Sequence, residues 1–524
     1  MKTYKNAHSE ACSKSKTLSN KNIQSELEDT ITKIKNIFGN PSDLSVNLSE
    51  LPNCNLKYAS IYIENLVDKE TKNSLSCEIS ENVSVTNKLS TPKDCFTAYS
   101  NILAGFRKSE EGSELNNLCE DLLSGKTIFL VDGYDRYLSI NTFTQLGRTV
   151  EEPSNQSVIR GPREAFTEKT DENIALVRKR IKSTSLRVEN LTVGSITNTK
   201  VTLMYIDMVA KNDIIKEIKN RLNKIEIDSI LDSGNIEELI KDDRYSIFPE
   251  FLNSEKPDSV AAALLEGRVA ILVDGTAYVL TAPALFVEFL QASEDYYHHF
   301  IISTVIRLVR YLAFSLTIFV PALYISLVSF QQEMIPTPLL ISIAAQREGV
   351  PFPALGEALM MEITFEILRE AGVRMPRVVG PAISIVGALV LGQAAVEAGI
   401  ISAVMVIIVS ITAISSFAIP NYSMSNAARI TRFALMLLAG MFGLYGVFMG
   451  FIVLILHVCK CKSIGVPYMT PIAPKTKYGL KDTLIRYPIW KNQYRPAGIS
   501  GSTSPRTNTD NPVNAKQKEK PEFR

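Results

Sequence analysis

Four of the five glutamates between residues 335 and 371 fall in the second half of a largely apolar stretch. The stretch reads IPTPLLISIAAQREGVPFPALGEALMMEITFEILREA, and the four are Glu357, Glu362, Glu366 and Glu370. We call these four residues the acidic stripe, since the last three lie within about 80° of arc at about 100° per residue of a helix. Carboxylates at membrane depth are costly unless they are hydrated or paired, and rings of them select cations in channels.

The acidic stripe allows two interpretations. In the first, it faces water inside an oligomer and draws cations. In the second, the helix is amphipathic and lies at the membrane interface or packs on a neighbour. Gln393 and Glu397 lie near the end of an apolar run. They could line the pore or, in the alternative interpretation, cap the helix at the membrane surface. The predicted pore-lining residues are Glu357, Glu362, Glu366, Glu370, Gln393 and Glu397.

These positions require a membrane domain to carry them, and four apolar runs predict one. A helix needs about 20 apolar residues to cross a hydrocarbon layer of about 30 Å, and the rest of this chain could not cover four such runs. We therefore predict an all-α helical membrane domain over residues 301–458. Its spans are predicted at about 307–330, 378–398, 400–420 and 433–457, with an ambiguous re-entrant or amphipathic segment at 335–371.

The side of the membrane on which each end lies is left open by the charges. The tail, residues 459–524, carries 13 Lys plus Arg against four Asp plus Glu, which favours the cytoplasmic side. Four spans return the tail to the side of the N-terminal region, whereas a fifth crossing within 335–371 places it opposite. Gly446 and Gly450 have the small-residue spacing of close helix packing. The last 30 residues, like residues 1–20, have a disordered composition.

The N-terminal half contains an internal repeat. Residues 122–133 read LLSGKTIFLVDG and residues 264–275 read LLEGRVAILVDG. Each copy predicts a helix that stops at a glycine, a buried strand and a hairpin turn at Asp-Gly. We therefore expect two related α/β lobes, at 21–150 and 185–295, joined by a linker at 151–184. The repeat residues are Gly125, Asp132, Gly133, Gly267, Asp274 and Gly275.

Several classes of protein are excluded or disfavoured. Ser124-Gly125-Lys126-Thr127 lacks the earlier glycine of a phosphate-binding loop and precedes a strand instead of a helix. A net charge of +1 excludes a broadly basic nucleic-acid binder. Four His and seven Cys, with only Cys459 and Cys461 at close spacing in the tail, predict no metal site. We expect no cofactor and no enzymatic activity.

Six stretches of the chain resemble the A subunit of GerA-type spore germinant receptors. They are SVIRGPREAFTEKTDENIALVRKRI, LLEGRVAILVDGTAYVLTAP, EDYYHHF, AAQREGVPFPALGEALMMEITFEILREAGVRMP, VGPAISIVGALVLGQAAVEAGIIS and GVPYMTPIAP, spread over about 95–495. The resemblance implies a place in the inner membrane of the spore. It also implies a multi-span, nutrient-binding B subunit and a C-subunit lipoprotein as partners, and a homo-oligomeric ring whose membrane part conducts ions.

The predicted architecture is an α+β cytosolic region of two related α/β lobes, then an all-α transmembrane bundle and a basic, partly disordered tail. The predicted function is a germinant-receptor subunit that forms an oligomeric, nutrient-gated cation channel in contact with membrane lipid. A solute transporter subunit is the alternative. Transporters of that kind show two similar membrane halves, and no repeat is found within 301–458.

Overall fold

The computed structural model forms two compact units. The lobe unit comprises the described residues within Met1–Lys241, Asn253–Pro283 and Gln493–Arg524, and the helical unit those within Asp242–Leu252 and Ala284–Asn492. The predicted disordered segment 1–20, most of the predicted span 378–398 and residues 502–524 of the tail lie outside the described residues. The structure describes residues 23–50, 56–68, 70–71, 73–74, 91–104, 109–143, 153, 156, 158–374, 392–475, 482–492, 494–496 and 498–501.

The first lobe is a five-stranded sheet in the order β1-β2-β4-β5-β3 with helices packed on it. Neighbouring strands are antiparallel. Buried apolar side chains lie on both faces, as expected for a sheet covered by helices. Its elements are α1 (Leu27–Phe38), β1 (Leu44–Glu50), β2 (Lys57–Ile63), α2 (Pro92–Ala104), β3 (Ser109–Gly112), α3 (Leu115–Leu123), β4 (Lys126–Val131) and β5 (Tyr137–Asn141).

The second lobe has the same topology, because its strand order is β6-β7-β9-β10-β8. The shared order extends the similarity well beyond the twelve residues of the repeat. The elements are α4 (Thr170–Arg180), β6 (Leu186–Val193), β7 (Thr199–Ile206), α5 (Asn212–Asn223), α6 (Ser233–Ile240), β8 (Leu252–Ser254), α7 (Pro257–Leu265), β9 (Val269–Val273) and β10 (Val279–Ala282).

The repeated Asp-Gly of each lobe connects its central hairpin to its first helix. Asp132 Oδ1 accepts a hydrogen bond from the backbone N–H of Leu27 at 3.2 Å, and Asp274 Oδ1 accepts one from Thr170 at the same distance. Both donors are the first residues of helices, where backbone N–H groups lack intrahelical partners. The glycines that follow have φ of 81° and 90°, as the turn requires. The Asp-Gly of each repeat therefore forms the hairpin turn and also caps the first helix of its lobe.

The segment predicted as a linker, 151–184, contains the first helix of the second lobe. Ile174 and Val177 of α4 lie in the core of that lobe. Arg178 is 1% exposed and donates through Nη2 to Asp43 Oδ1 of the first lobe at 2.8 Å, with a second bond from its Nε. Seven of the eleven residues of α4 are buried, so this helix is not a solvated connection in spite of its many charges.

The C-terminal segment also contributes to the lobe unit. Ser500 forms an antiparallel bridge with Ala210 of the second lobe. In the first lobe the corresponding bridge joins Val67 to Phe143, which lies two residues after the end of β5. The second lobe has no such residue after its last strand, because the chain leaves for the helical unit at that point. Part of the predicted tail, 459–524, therefore completes the second lobe.

The helical unit contains five helices in the described residues, packed around one apolar core. Among the described residues, α8 and α12 are long and apolar enough to cross a membrane. At 15 residues, α11 is about 22 Å long, shorter than the hydrocarbon layer and shorter than the span predicted at 400–420. The helices are α8 (Phe300–Ser329), α9 (Thr337–Arg347), α10 (Ala354–Arg374), α11 (Ala403–Phe417) and α12 (Tyr422–Lys460).

The predicted span 433–457 is not one straight helix, because α12 reverses its direction at Gly443. Gly443 has φ 62° and ψ −144°. A Cβ atom on Gly446 would lie 2.2 Å from the carbonyl oxygen of Leu438. Residues eight apart in a straight helix are separated by about 12 Å, so the two halves of α12 fold back on each other. The small residues predicted to allow close packing do so within this hairpin.

Candidate functional site

The centre of the acidic stripe is occupied by a buried ion pair. Glu362 of α10 and Arg432 of α12 are both 0% exposed, and Arg432 Nη2 lies 2.7 Å from Glu362 Oε2. Removing two charges from water is expensive, and here the mutual attraction of the two charges offsets that cost without a hydrogen bond from the described residues to either oxygen of Glu362. The pair therefore fixes α10 against the first half of α12.

The next acidic residue, one turn further along α10, extends this pair into a cluster. Arg429 Nη1 donates to Glu366 Oε2 at 2.8 Å, and Arg432 Nη2 donates to Glu366 Oε1 at 3.4 Å. Arg369 lies 3.7 Å from the same carboxylate. We call Glu362, Glu366, Arg369, Arg429 and Arg432 the ionic cluster. Its formal charge is +1, so the two carboxylates are fully compensated inside one chain.

The first residue of the acidic stripe lies in a different environment. Glu357 is 0% exposed and accepts hydrogen bonds from the backbone N–H of Ser402 at 2.6 Å and from its hydroxyl at 2.5 Å. Arg347 Nε of α9 lies 3.7 Å from the other carboxylate oxygen. Ser402 is also the N-cap of α11. Glu357 thus joins α9, α10 and the start of α11.

The three remaining candidates are exposed. Glu370 pairs with Arg374 one turn away at 2.7 Å, with side-chain exposures of 60% and 79%. Gln393 donates to Glu397 at 2.9 Å, also one turn away and also exposed. The six predicted residues are therefore divided among three places: the Ser402 contact, the ionic cluster and two exposed pairs. In the described chain, Glu357 and Glu362 pack on protein.

Sequence reasoning missed Arg429 and Arg432 as partners of the acidic stripe. In the sequence the two arginines flank an apolar run, where their charges bear on its orientation. Their spacing of three residues places them on one helix face, as does the spacing of four between Glu362 and Glu366. A pair of glutamates in one apolar helix and a pair of arginines in another were the available signal that the two helices contact each other.

The arrangement is suited to holding or releasing helices rather than to covalent chemistry. Among the described residues, no three His, Cys, Asp or Glu side chains form a group that could hold a metal ion. The charges of the ionic cluster are instead compensated by one another. A change that separates α10 from α12 would expose two carboxylates and three guanidinium groups together.

Comparison with known proteins identifies the family. Residues 32–498 match the model of the Bacillus/Clostridium GerA spore germination protein family. The chain belongs to the GerA family. It is 46% identical over 492 residues to spore germination protein KA of Bacillus subtilis (strain 168), covering 93% of this chain and 89% of that protein. It is 38% identical over 474 residues to spore germination protein B1 of the same organism, covering 90% and 97%.

Other GerA-family proteins show the same extent of similarity. Spore germination protein GerLA of Bacillus cereus is 37% identical over 474 residues, which cover 90% of this chain and 96% of that protein. A solved structure, the N-terminal domain of the A subunit of the Bacillus megaterium spore germinant receptor GerK3, is 35% identical and aligns with a TM-score of 0.41. The alignment covers 51% of this chain and 98% of that one. The resemblance seen in the sequence motifs is confirmed by the family match.

Proposed function

We propose that this GerA-family chain is the membrane subunit of a nutrient germinant receptor that triggers spore germination. Its relatives are named spore germination proteins, and the similarity spans nearly the whole of both chains. In this proposal the helical unit forms part of an oligomeric cation channel that opens when nutrient binds elsewhere in the receptor. A multi-span B subunit and a C-subunit lipoprotein are the proposed partners.

The ionic cluster is the observation that carries the proposal. Charged side chains among apolar helices are expensive and are retained where ions pass or where a conformational change must be controlled. Here Glu362 and Arg432 stabilise one arrangement of α10 and α12. Nutrient binding to a partner subunit would have to favour a second arrangement by a comparable free energy. We propose that the ionic cluster is the element that separates the closed state from the open state.

The exposed candidates are those we propose for the ion path. Glu370 pairs with Arg374 and Gln393 with Glu397, outside the ionic cluster, and all three candidates are exposed in a single chain. Copies of the chain arranged as a ring would bring such carboxylates around a common axis, where they attract cations. The proposed location is the inner membrane of the spore, with the lobe unit on the side of the spore core.

A solute transporter remains the second candidate, and the reversal at Gly443 is the feature that favours it. Transporters bind solutes at interrupted helices whose free backbone groups face the substrate. In this chain the N–H of Leu444, which opens the second half of α12, already donates to Gln331 Oε1 at 3.1 Å. That interaction occupies one of the N–H groups that a solute would need, and the similarity to spore germination proteins favours the channel subunit.

The proposal is tested in spores whose only germinant receptor contains this chain together with its own B and C subunits. The variant is Glu370→Gln combined with Glu397→Gln, and the matched control is Glu333→Gln, an exposed glutamate outside the acidic stripe. Release of monovalent cations is recorded after addition of a nutrient mixture, and receptor level is measured by immunoblot. We expect at least a fivefold slower release in the double variant and normal release in the control.

Two outcomes would contradict this function. Normal cation release at a normal receptor level would remove the exposed carboxylates from the ion path. Accumulation of a labelled nutrient in liposomes that contain only this chain would indicate a transporter. Spores that lack the chain altogether should release no cations in response to nutrient, and restoring the chain should restore the release.

A further inference from the structure

A short segment near the C-terminus presents large apolar side chains to the exterior of the helical unit. Within residues 482–492, Leu484 is 45% exposed, Ile485 54%, Ile489 65% and Trp490 45%. Trp490 is the only tryptophan in the chain. Single exposed apolar residues are common on soluble surfaces, but four within seven positions form a contiguous patch that marks an interaction surface.

This segment is attached to the start of α8. Arg307 Nη1 donates to Asp482 Oδ1 at 2.8 Å and to the carbonyl oxygen of Thr483 at 3.2 Å. Arg307 is 0% exposed, so its charge depends on these acceptors. The Trp490 ring meets the Phe300 ring edge to face, with centroids 6.0 Å apart. The segment is therefore held beside the first turns of α8 at a fixed height along that helix.

The length of α8 determines that height relative to a membrane. Its 30 residues span about 45 Å, whereas a hydrocarbon layer is about 30 Å thick. The charge-free part, residues 311–329, is about 28 Å long and fills that layer. Arg307 and Arg310, which both pair with Asp295, therefore lie in the headgroup region just before it. The segment attached to Arg307 lies at the same level.

The outer surface of α8 at this level is also apolar. Ile301, Ile302 and Val305 are between 54% and 57% exposed. They flank Phe300 and Thr304, which contact Trp490 and Arg486 of the segment. Tryptophan favours this level of a bilayer because its ring is apolar while its indole N–H seeks a polar partner. The patch thus has the composition and position of a membrane-interface contact.

We propose that residues 484–490 form an interfacial anchor that inserts into the headgroup region of the leaflet where α8 enters. Trp490, Ile489, Ile485 and Leu484 are the inserting side chains, and phospholipid is the partner. The inference rests on the proposed membrane location of the helical unit. Through Arg307, the anchor sets how deeply α8 lies in the bilayer, and it holds the start of the C-terminal segment against the membrane surface.

The single tryptophan allows a direct test with the full-length chain in phospholipid vesicles. Flotation of the vesicles first establishes that the protein is membrane-bound. Emission is then compared in ordinary phosphatidylcholine and in phosphatidylcholine brominated at carbons 6 and 7 of one acyl chain, and iodide is added from the aqueous phase. We expect at least a twofold loss of emission in brominated lipid and less than a 20% loss with iodide.

The outcomes separate this inference from the proposed function. Protein that fails to float with the vesicles contradicts both. Protein that floats but is quenched by iodide and not by brominated lipid overturns the anchor alone. Emission that changes when the protein is diluted tenfold with lipid assigns the patch to contact between two copies, and this also overturns the anchor. Trp490→Phe should float normally and lose the indole emission, which confirms its source.

Discussion

Substituting either partner of the ion pair of Glu362 and Arg432 should destabilise the helical unit. The free-energy cost should differ between the two substitutions. Both side chains are fully buried, and their closest atoms are 2.7 Å apart. Among the described residues, Arg432 is the one basic side chain that pairs with Glu362, so Arg432→Met leaves a buried carboxylate without a counter-charge. Loss of one partner of a buried pair costs about 3–5 kcal/mol.

Glu362→Gln should cost less, because Arg432 retains a second carboxylate. Glu366 Oε1 lies 3.4 Å from Arg432 Nη2 and still neutralises the guanidinium group. We expect a cost below the range of about 3–5 kcal/mol that applies when a buried charge loses its only partner. The double variant Glu362→Gln with Arg432→Met removes both charges together. It should therefore be less destabilised than the sum of the single variants, by at least about 1.5 kcal/mol.

The assay is the midpoint temperature at which a fluorescent-protein fusion of the full chain is lost from the monodisperse peak in detergent. The expected order of midpoints places Glu362→Gln above Arg432→Met. The double variant should lie clearly above the value predicted by adding the two single decreases. Glu370→Gln is the matched control, because its partner Arg374 is exposed and such pairs contribute about 0–1 kcal/mol. Additive decreases, or equal effects of Glu362→Gln and Glu370→Gln, would refute the reasoning.

Two further substitutions probe the remaining structural conclusions. Gly443→Ala should strongly reduce the yield of monodisperse protein, since the residue has φ 62° and an added Cβ would lie 2.9 Å from Phe330 Cβ. Gly465→Ala is the control, because Gly465 has φ 75° and an added Cβ would have no atom within 4 Å. This control has only the backbone cost of about 1–2 kcal/mol and should be tolerated. Asp274→Ala should lower the free energy of unfolding of the lobe unit by about 0.5–2 kcal/mol, because the N–H and the hydroxyl of Thr170 at the start of α4 lose their acceptor. Urea denaturation followed by circular dichroism measures this change.

Local sequence signals predicted much of the lobe unit. The two copies of the Leu-Val-Asp-Gly motif predicted helix stops at Gly125 and Gly267, and both glycines have positive φ after a helix. They also predicted the hairpins of β4 with β5 and of β9 with β10, which the structure contains. These features depend on residues within about 20 positions of one another. Turn chemistry and strand patterns therefore suffice to indicate them.

The features that sequence reasoning missed depend on distant parts of the chain. Glu366 and Arg429 are 63 residues apart, and nothing local indicates that α10 and α12 meet at that point. The reversal at Gly443 was hidden because an apolar run of this length is typical of one crossing, and glycine is common in membrane helices. The amphipathic alternative for the acidic helix included packing on a neighbour, which is the environment of Glu362. The partner and its charge could not be specified without the fold.

The connections of the lobe unit restrict how the chain can cross a membrane. The lobe unit includes Pro283, from which the chain leaves, and residues 498–501, to which it returns. Lys211 Nζ donates to the carbonyl oxygen of Gly498 at 2.6 Å, and Gly501 N–H donates to that of Val209 at 2.8 Å. A bilayer cannot divide one folded lobe, so the number of crossings must be even. If α8 crosses once, the rest of the helical unit must supply an odd number of crossings.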